Sequence, residues 1–446
     1  MGGLPEQIAA RLAQAVEVDR LVDGKSLPHE MILEGLRPAL RRAAGAERTP
    51  TPLRAFCLPF EDLFTLLPRK AKQKGAIARG SVMPVWAWIS QSLAPEQTRD
   101  YIRDFRALTL AGKHVEARNR AAAFWTVAAT TVAARLSDEK AARNALGSAQ
   151  VVADAAEMAL LLGVAADVVE IHDILPKPVP TLTEEMLWSL RRVYDRLIAN
   201  TPDAAPYVAV LAMHRLVRPW EALKLPLLVS RQTQDTLIAS TDMGMVGEIL
   251  FDDIEAYAKA VREAQHPAFD GRALLDNLSR FTTLSSGIVK GIEMRRDGKW
   301  GQRLMKDRAA LAATMDGFME RAPKELAAAL PLQRGAGPKY PDFSRPVDPE
   351  KQERAVRYAR LVAGSRPLAA AASFAATQKK AEEEMCQALR SYNEDVVKEL
   401  RTAQGPRRDV AESQFELVCA LTACLFSEEE AEFLRRRGKA AQQAAA

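Results

Sequence analysis

The segment that decides the fold covers residues 385–400, MCQALRSYNEDVVKEL. Its apolar side chains recur at spacings of four, three, four and four residues: Met385, Leu389, Tyr392, Val396 and Leu400. Because an α-helix has about 3.6 residues per turn, these spacings place all five side chains on one face. The segment therefore predicts an amphipathic helix that buries a single face.

The sequence on either side predicts where this helix begins and ends. Pro367 is the predicted start, because proline is favoured in the first turn of a helix. Gly405 and Pro406 form the predicted stop, since a Gly-Pro pair interrupts helical structure. We therefore expect one long helix from Pro367 to about Arg401.

Other helix starts are marked by capping residues. The tripeptide Asp-Pro-Glu at 348–350 combines an N-cap, a proline at the first helical position and an acid in the first turn, and predicts a helix that ends at Gly364. Thr183 precedes two glutamates, and Ser427 forms a capping box with Glu430. Each of these patterns indicates a further helix.

Strand signals are weak throughout the sequence. No run of β-branched residues alternates with polar ones over a strand length, and no Asn-Gly or Asp-Gly turn joins two such runs. No internal repeat of 30 to 50 residues is evident either. The sequence predicts an all-α protein, an irregular multi-helix array or bundle with little or no β-sheet.

Two segments rich in proline and glycine indicate connections between helical regions. The first is 175–180, LPKPVP, and the second is 333–347, which is either an ordered functional loop or a linker. We expect the following organisation: an N-terminal helical region over 1–175 with a basic loop at 69–79, a central helical region over 181–332, a Gly/Pro-rich connector over 333–347, and a C-terminal long-helix region over 348–446.

Composition narrows the class of protein. Of the 446 residues 48% are hydrophobic and 27% charged, and the net charge of +5 is too small for a polybasic protein. Four scattered cysteines, an N-terminus without a signal sequence, and abundant alanine and arginine lead us to expect a bacterial, cytoplasmic protein. The longest uncharged run, 121–134, is too short to cross a bilayer and predicts a buried helix, so we expect no membrane partner.

Common catalytic and cofactor motifs are missing from the sequence. It contains no phosphate-binding loop, no G-x-S-x-G and no H-E-x-x-H. Glu263 and His266 form the single E-x-x-H, whereas a helical di-iron site needs two. The acidic stretch 251–255, FDDIE, is similar to an aspartate-rich magnesium motif, but the spacing of its carboxylates is wrong by one residue. It therefore indicates a solvated helix face. We therefore assign no catalytic, cofactor-binding or metal-binding residue and expect no cofactor.

The densest local charge is a basic patch that we consider a candidate contact for an anion or a partner. It consists of Arg69, Lys70, Lys72, Lys74 and Arg79. Trp86 and Trp88 follow it, and basic groups beside exposed aromatic rings can hold single-stranded nucleic acid. The simpler interpretation is a basic loop that leads into a helix with both tryptophans in the core. A second basic stretch, 290–308 with Trp300, allows the same two interpretations.

The sequence leaves three functions open. The leading hypothesis is a non-enzymatic protein that acts through contacts with another protein, as a scaffold or regulator, because amphipathic helices abound while catalytic motifs are missing. The first alternative is a binder of anions or nucleic acid through the 69–79 patch. The second is an enzyme whose site is assembled from dispersed residues. The sequence makes no prediction of oligomeric state.

Overall fold

The computed structural model describes residues 50–65, 72–230, 242–264, 268–333 and 340–444. Across these residues the chain forms 17 α-helices and one very small sheet, which confirms the predicted all-α fold. Seven helices precede residue 175: α1 (Pro52–Cys57), α2 (Val82–Trp88), α3 (Pro95–Leu110), α4 (His114–Leu136), α5 (Glu139–Leu146), α6 (Ala149–Gly163) and α7 (Ala165–Ile174). Ten follow it: α8 (Glu184–Asn200), α9 (Tyr207–Arg215), α10 (Lys224–Ser230), α11 (Met245–Arg262), α12 (Gly271–Gly291), α13 (Lys299–Ala329), α14 (Pro349–Ser365), α15 (Ala375–Thr402), α16 (Pro406–Leu425) and α17 (Glu428–Ala444).

The chain separates into two compact units, and α7 runs across the boundary between them. Among the described residues, the first unit consists of 50–65, Lys72 and Ala76–Val169, and the second of Gln73–Gly75 and the described residues from Glu170 onward. The described residues of the 333–347 connector therefore lie within the second unit.

The first unit is built around helix α4, which packs against α3 and α6. Its core is aromatic: Tyr101 stacks on Phe124 with ring centroids 4.3 Å apart, and Phe56 packs against Phe124 at 6.0 Å. Trp125 donates its indole N–H to the carbonyl of Ala55 at 3.1 Å, which ties α4 to α1. Large rings on three helices thus supply much of the apolar surface that this unit buries.

The sheet in the first unit has two strands of two residues each. Strands β1 (Phe64–Thr65) and β2 (Ile77–Ala78) are parallel, with Phe64 opposite Ile77 and Thr65 opposite Ala78. Its small size agrees with the expectation of little or no β-sheet.

The second unit is an array of longer helices in which α13 and α15 are the longest. Helix α13 packs against α11 and α14, and α15 packs against α16 and α13. The predicted apolar face of 385–400 is buried as expected, since Met385, Leu389, Val396 and Leu400 are fully buried and Tyr392 is nearly so.

The predicted start of this long helix at Pro367 is wrong. Residues 366–373 form turns, and α15 begins at Ala375. Ser373 has a left-handed backbone with φ of 67°, which a continuous helix excludes. A proline is compatible with a first helical turn but does not require one, and this local backbone geometry separates α14 from α15.

The connector joins α13 to α14 and is hydrogen-bonded to the helices on its described part. The backbone N–H of Gln333 donates to the carbonyl of Tyr340, and that of Asp342 donates to the carbonyl of Pro331. Gln414 on α16 donates its side-chain amide to the carbonyl of Asp342 at 3.0 Å. The first two bonds hold the described ends of the segment to each other, and the bond from Gln414 attaches it to α16.

Within the described ranges, no single helix is long and apolar enough to cross a membrane, although one pair bent by 107°, Glu139–Leu146 with Ala149–Gly163, meets the length and composition requirement together.

Candidate functional site

The structure describes three of the five residues of the predicted basic patch, and it places Lys72 in a buried ionic cluster. Arg69 and Lys70 lie outside the described residues. The ammonium group of Lys72 lies 2.6 Å from Oδ1 of Asp154 and forms a second ion pair with Glu157, both on α6. The two carboxylates are almost completely buried, and Lys72 supplies a counter-charge to both.

Asp154 is the centre of this cluster and holds the chain around β2 against α6. Its Oδ2 accepts hydrogen bonds from the hydroxyl of Ser81 at 2.6 Å and from the backbone N–H of Ala78 at 3.2 Å. Its Oδ1 accepts from Gln150 at 3.1 Å as well as from Lys72. A buried carboxylate with this many donors fulfils a structural role. The charge of Lys72 is thus committed within the protein.

Lys74 and Arg79 are the more exposed members of the patch. Lys74 precedes Gly75, whose backbone is left-handed with φ of 81° and lies so close to Ile249 that a Cβ at Gly75 would come within 2.7 Å of that side chain. Only glycine tolerates both the left-handed backbone and the close approach of Ile249, so the turn after Lys74 in the second unit requires Gly75. Arg79 lies in the short 3₁₀ turn that precedes α2.

The two tryptophans after the patch differ from an exposed stacking platform. Trp86 packs against Phe56 with ring centroids 5.0 Å apart and against Phe124 at 6.0 Å, so it belongs to the aromatic core of the first unit. Trp88 is half-buried. Trp86 is half-buried as well, and its contacts with Phe56 and Phe124 hold it against the core, whereas a platform that binds bases needs ring faces open to solvent.

Two cations of the second basic stretch, Lys299 and Arg303, pair with carboxylates of α11. Arg303 lies 3.0 Å from Glu248 and 2.6 Å from Asp252, and Lys299 lies 2.9 Å from Glu248. Trp300 is buried and donates its indole N–H to Glu248 at 2.7 Å. Of the stretch 251–255, which the sequence predicts on a solvated helix face, Glu255 is exposed and Asp252 is half-buried, and both pair with Arg303 of α13.

Burial opposes ionisation of Glu248, but its partners reverse that effect. Hydrogen bonds from Trp300 and Lys299, together with the charges of Lys299 and Arg303, lower the pKa of Glu248 below its ordinary value. The carboxylate stays charged at neutral pH and holds α11 to α13. Such a lowered pKa is suited to an ion pair rather than to a general acid or base.

Three of the cysteine thiols are protonated at neutral pH. Burial raises the pKa of Cys57 to about 12 and that of Cys419 to about 11. Burial also raises the pKa of Cys386. Because the thiolate is the nucleophile, these three cysteines lack the environment of a reactive one.

A surface cavity of about 480 Å³ lies along α15 and is lined by Lys379, Glu382, Glu383, Cys386, Gln387 and Arg390. Glu382 pairs with Arg366, and the guanidinium of Arg390 stacks on the ring of Phe426 at 5.0 Å. Its main charged groups thus have partners within the protein. Among the residues that the structure describes, no group of three or more His, Cys, Asp or Glu could hold a metal ion.

Helix α4 contains the uncharged run 121–134, for which the sequence predicts a buried helix. The prediction is wrong for one side of the helix, which is exposed to solvent. Phe124, Trp125 and Ala128 are buried, whereas a row on the opposite side is exposed along the whole helix. We call this row the α4 stripe; it consists of Val115, Asn119, Ala122, Thr126, Thr130, Ala133 and Ser137.

The hydroxyl groups of the α4 stripe are already satisfied by the helix itself. The hydroxyl of Thr126 donates to the carbonyl of Ala122 at 3.4 Å, and that of Thr130 donates to the carbonyl of Thr126 at 2.8 Å. Ser137 donates to the carbonyl of Ala134 at 2.7 Å. With the hydroxyls turned back to the backbone, the stripe can be covered without leaving a hydroxyl proton unpaired.

Large apolar side chains are exposed at one end of the α4 stripe. Leu110 and Val115 are 88% and 75% exposed, the highest values for large hydrophobic residues in the described ranges, and they flank the turn before α4. Sequence analysis missed this surface because alanine and threonine are compatible with both a core and a solvent-facing position. The signal it could have used is the uncharged row at helical spacing.

Comparison of the chain with protein-family models, with curated proteins and with solved structures finds no match.

Proposed function

We propose that this chain is a non-enzymatic helical protein of the bacterial cytoplasm that acts by binding protein through the α4 stripe. The observation that carries the proposal is that six exposed positions without a charge follow one face of a 23-residue helix and a seventh, Ser137, is its C-cap, with the hydroxyls bonded internally. A solvent-facing helix normally carries charged side chains along its outer face. The α4 stripe carries none, while the exposed Glu116, Arg118 and Arg135 of the same helix lie outside it. An uncharged row of this kind is suited to a contact.

The side chains of the stripe define the chemistry of the partner. From Ala122 to Ser137 the stripe consists of alanine, threonine and serine, which keep the surface low and permit a second helix to approach to about 8 Å between axes. The partner surface is accordingly an amphipathic helix whose contacting row is also mostly small and uncharged. Asn119 adds an amide that needs a hydrogen-bond partner once it is covered. Leu110 and Val115 supply the larger apolar contact at the N-terminal end of α4.

Two further observations support the proposal, one on the binding role and one on the compartment. The cations and carboxylates nearest to the sequence-predicted patches are held in ion pairs, as for Lys72 with Asp154 and Arg303 with Glu248. The cysteines Cys57, Cys386, Cys419 and Cys424 are free thiols, which agrees with a reducing compartment such as the cytoplasm.

The experiment that tests this function is partner capture with a matched pair of variants. Ala122→Glu introduces a charge in the middle of the stripe, and Ala309→Glu introduces the same charge at an exposed position of α13. We expect a protein that co-purifies from the native cell with the unmodified chain and with Ala309→Glu, and that is lost with Ala122→Glu. Equal retention by both variants would refute the role of the stripe.

A second candidate function, binding of an anion or nucleic acid, rests on the exposure of Lys74 and Arg79. It is tested by the salt dependence of binding to heparin, because phosphate-like contacts weaken steeply as salt rises. Charge reversal at Lys74 and Arg79 should abolish such binding while the contact through α4 is retained. Binding that is independent of salt would exclude this candidate.

A further inference from the structure

We draw no further inference here: the strongest candidate, the surface cavity along α15, carries nothing, because its charged side chains Lys379, Glu382 and Arg390 are each engaged by another side chain of this protein and nothing in the described part of the chain shows what ligand the cavity would hold.

Discussion

The ring of Trp300 occupies the space directly beside Gly247, where a Cβ would lie 2.2 Å from the indole. This contact closes α13 onto α11 and brings the indole N–H of Trp300 to the carboxylate of Glu248 on the next residue of the same helix. An apolar contact and an ionic cluster therefore share one helix interface in the second unit.

Gly247→Ala should destabilise the protein because its methyl group overlaps with the Trp300 ring. Overpacking of this kind costs about 1–3 kcal/mol of unfolding free energy, which urea denaturation measures. Gly317→Ala on α13 is the control, because no atom lies within 4 Å of a Cβ at that position. The control should be neutral or stabilise by up to about 1 kcal/mol. Equal effects of the two variants would contradict the packing of Trp300.

Glu248→Gln should lower stability at neutral pH and have little effect in acid. The pKa of Glu248 is lowered in the folded state, so its stabilising contribution is present above its ordinary value of 4.5 and is lost as the pH falls through the lower folded pKa. We expect a loss of about 1 kcal/mol at pH 7 that shrinks below about pH 4. Urea denaturation of both proteins at several pH values measures it, and a difference that grows in acid would contradict the assigned contacts.

Asp307→Asn should leave stability unchanged or raise it at neutral pH, in contrast to Glu248→Gln. Burial and the nearby charge of Glu255 raise the pKa of Asp307, although Arg262 lies 3.5 Å away and opposes the shift. The folded state thus favours the protonated form, and stability is gained as the pH falls through the folded pKa. We expect Asn to be neutral or stabilising at pH 7 and to lose this advantage in acid. Asp276→Asn, at an exposed position of α12, is the control and should change stability by less than about 0.5 kcal/mol.

Lys72→Ala should destabilise the protein far more than alanine substitution of Lys74 or Arg79 in the basic patch. Removal of its ammonium group leaves Asp154 and Glu157 buried without this counter-charge, which costs about 3–5 kcal/mol. Lys74→Ala and Arg79→Ala change more exposed side chains and should remain within about 0.5 kcal/mol. Thermal unfolding monitored by circular dichroism compares the three variants. A Lys72→Ala protein as stable as the other two would show that the cluster has no structural role.

The sequence predicts those features of the fold that depend on neighbouring residues. Thr183 and Ser427 cap α8 and α17 as expected, with their hydroxyls accepting from Met186 and Glu430. Asp348 caps α14 in the same way. Pro367 fails as a helix start because the turn around Ser373 separates the two helices, and the sequence around the proline carries no unambiguous sign of that turn.

The environment of a charged residue could not be predicted, because its partners are distant in sequence. Lys72 belongs to a run of cations, yet its counter-charges lie on α6, more than eighty residues away. Arg303 and Glu248 are likewise distant in sequence, 55 residues apart. A count of charges along the sequence therefore predicts an exposed patch, whereas the folded chain places Lys72 and Arg303 in ion pairs within the protein. The exposed side of α4 was missed for a related reason, because an uncharged residue does not reveal which side of a helix faces the core.

Partner capture with matched variants tests the central claim most directly. We predict that one protein co-purifies from the native cell with the unmodified chain and with Ala309→Glu, whose new charge lies at an exposed position of α13. The same protein should be lost with Ala122→Glu, whose new charge lies in the middle of the α4 stripe, while retained helical circular dichroism verifies that this variant folds. Equal capture by Ala122→Glu and Ala309→Glu would contradict the claim that this protein binds a partner through the α4 stripe.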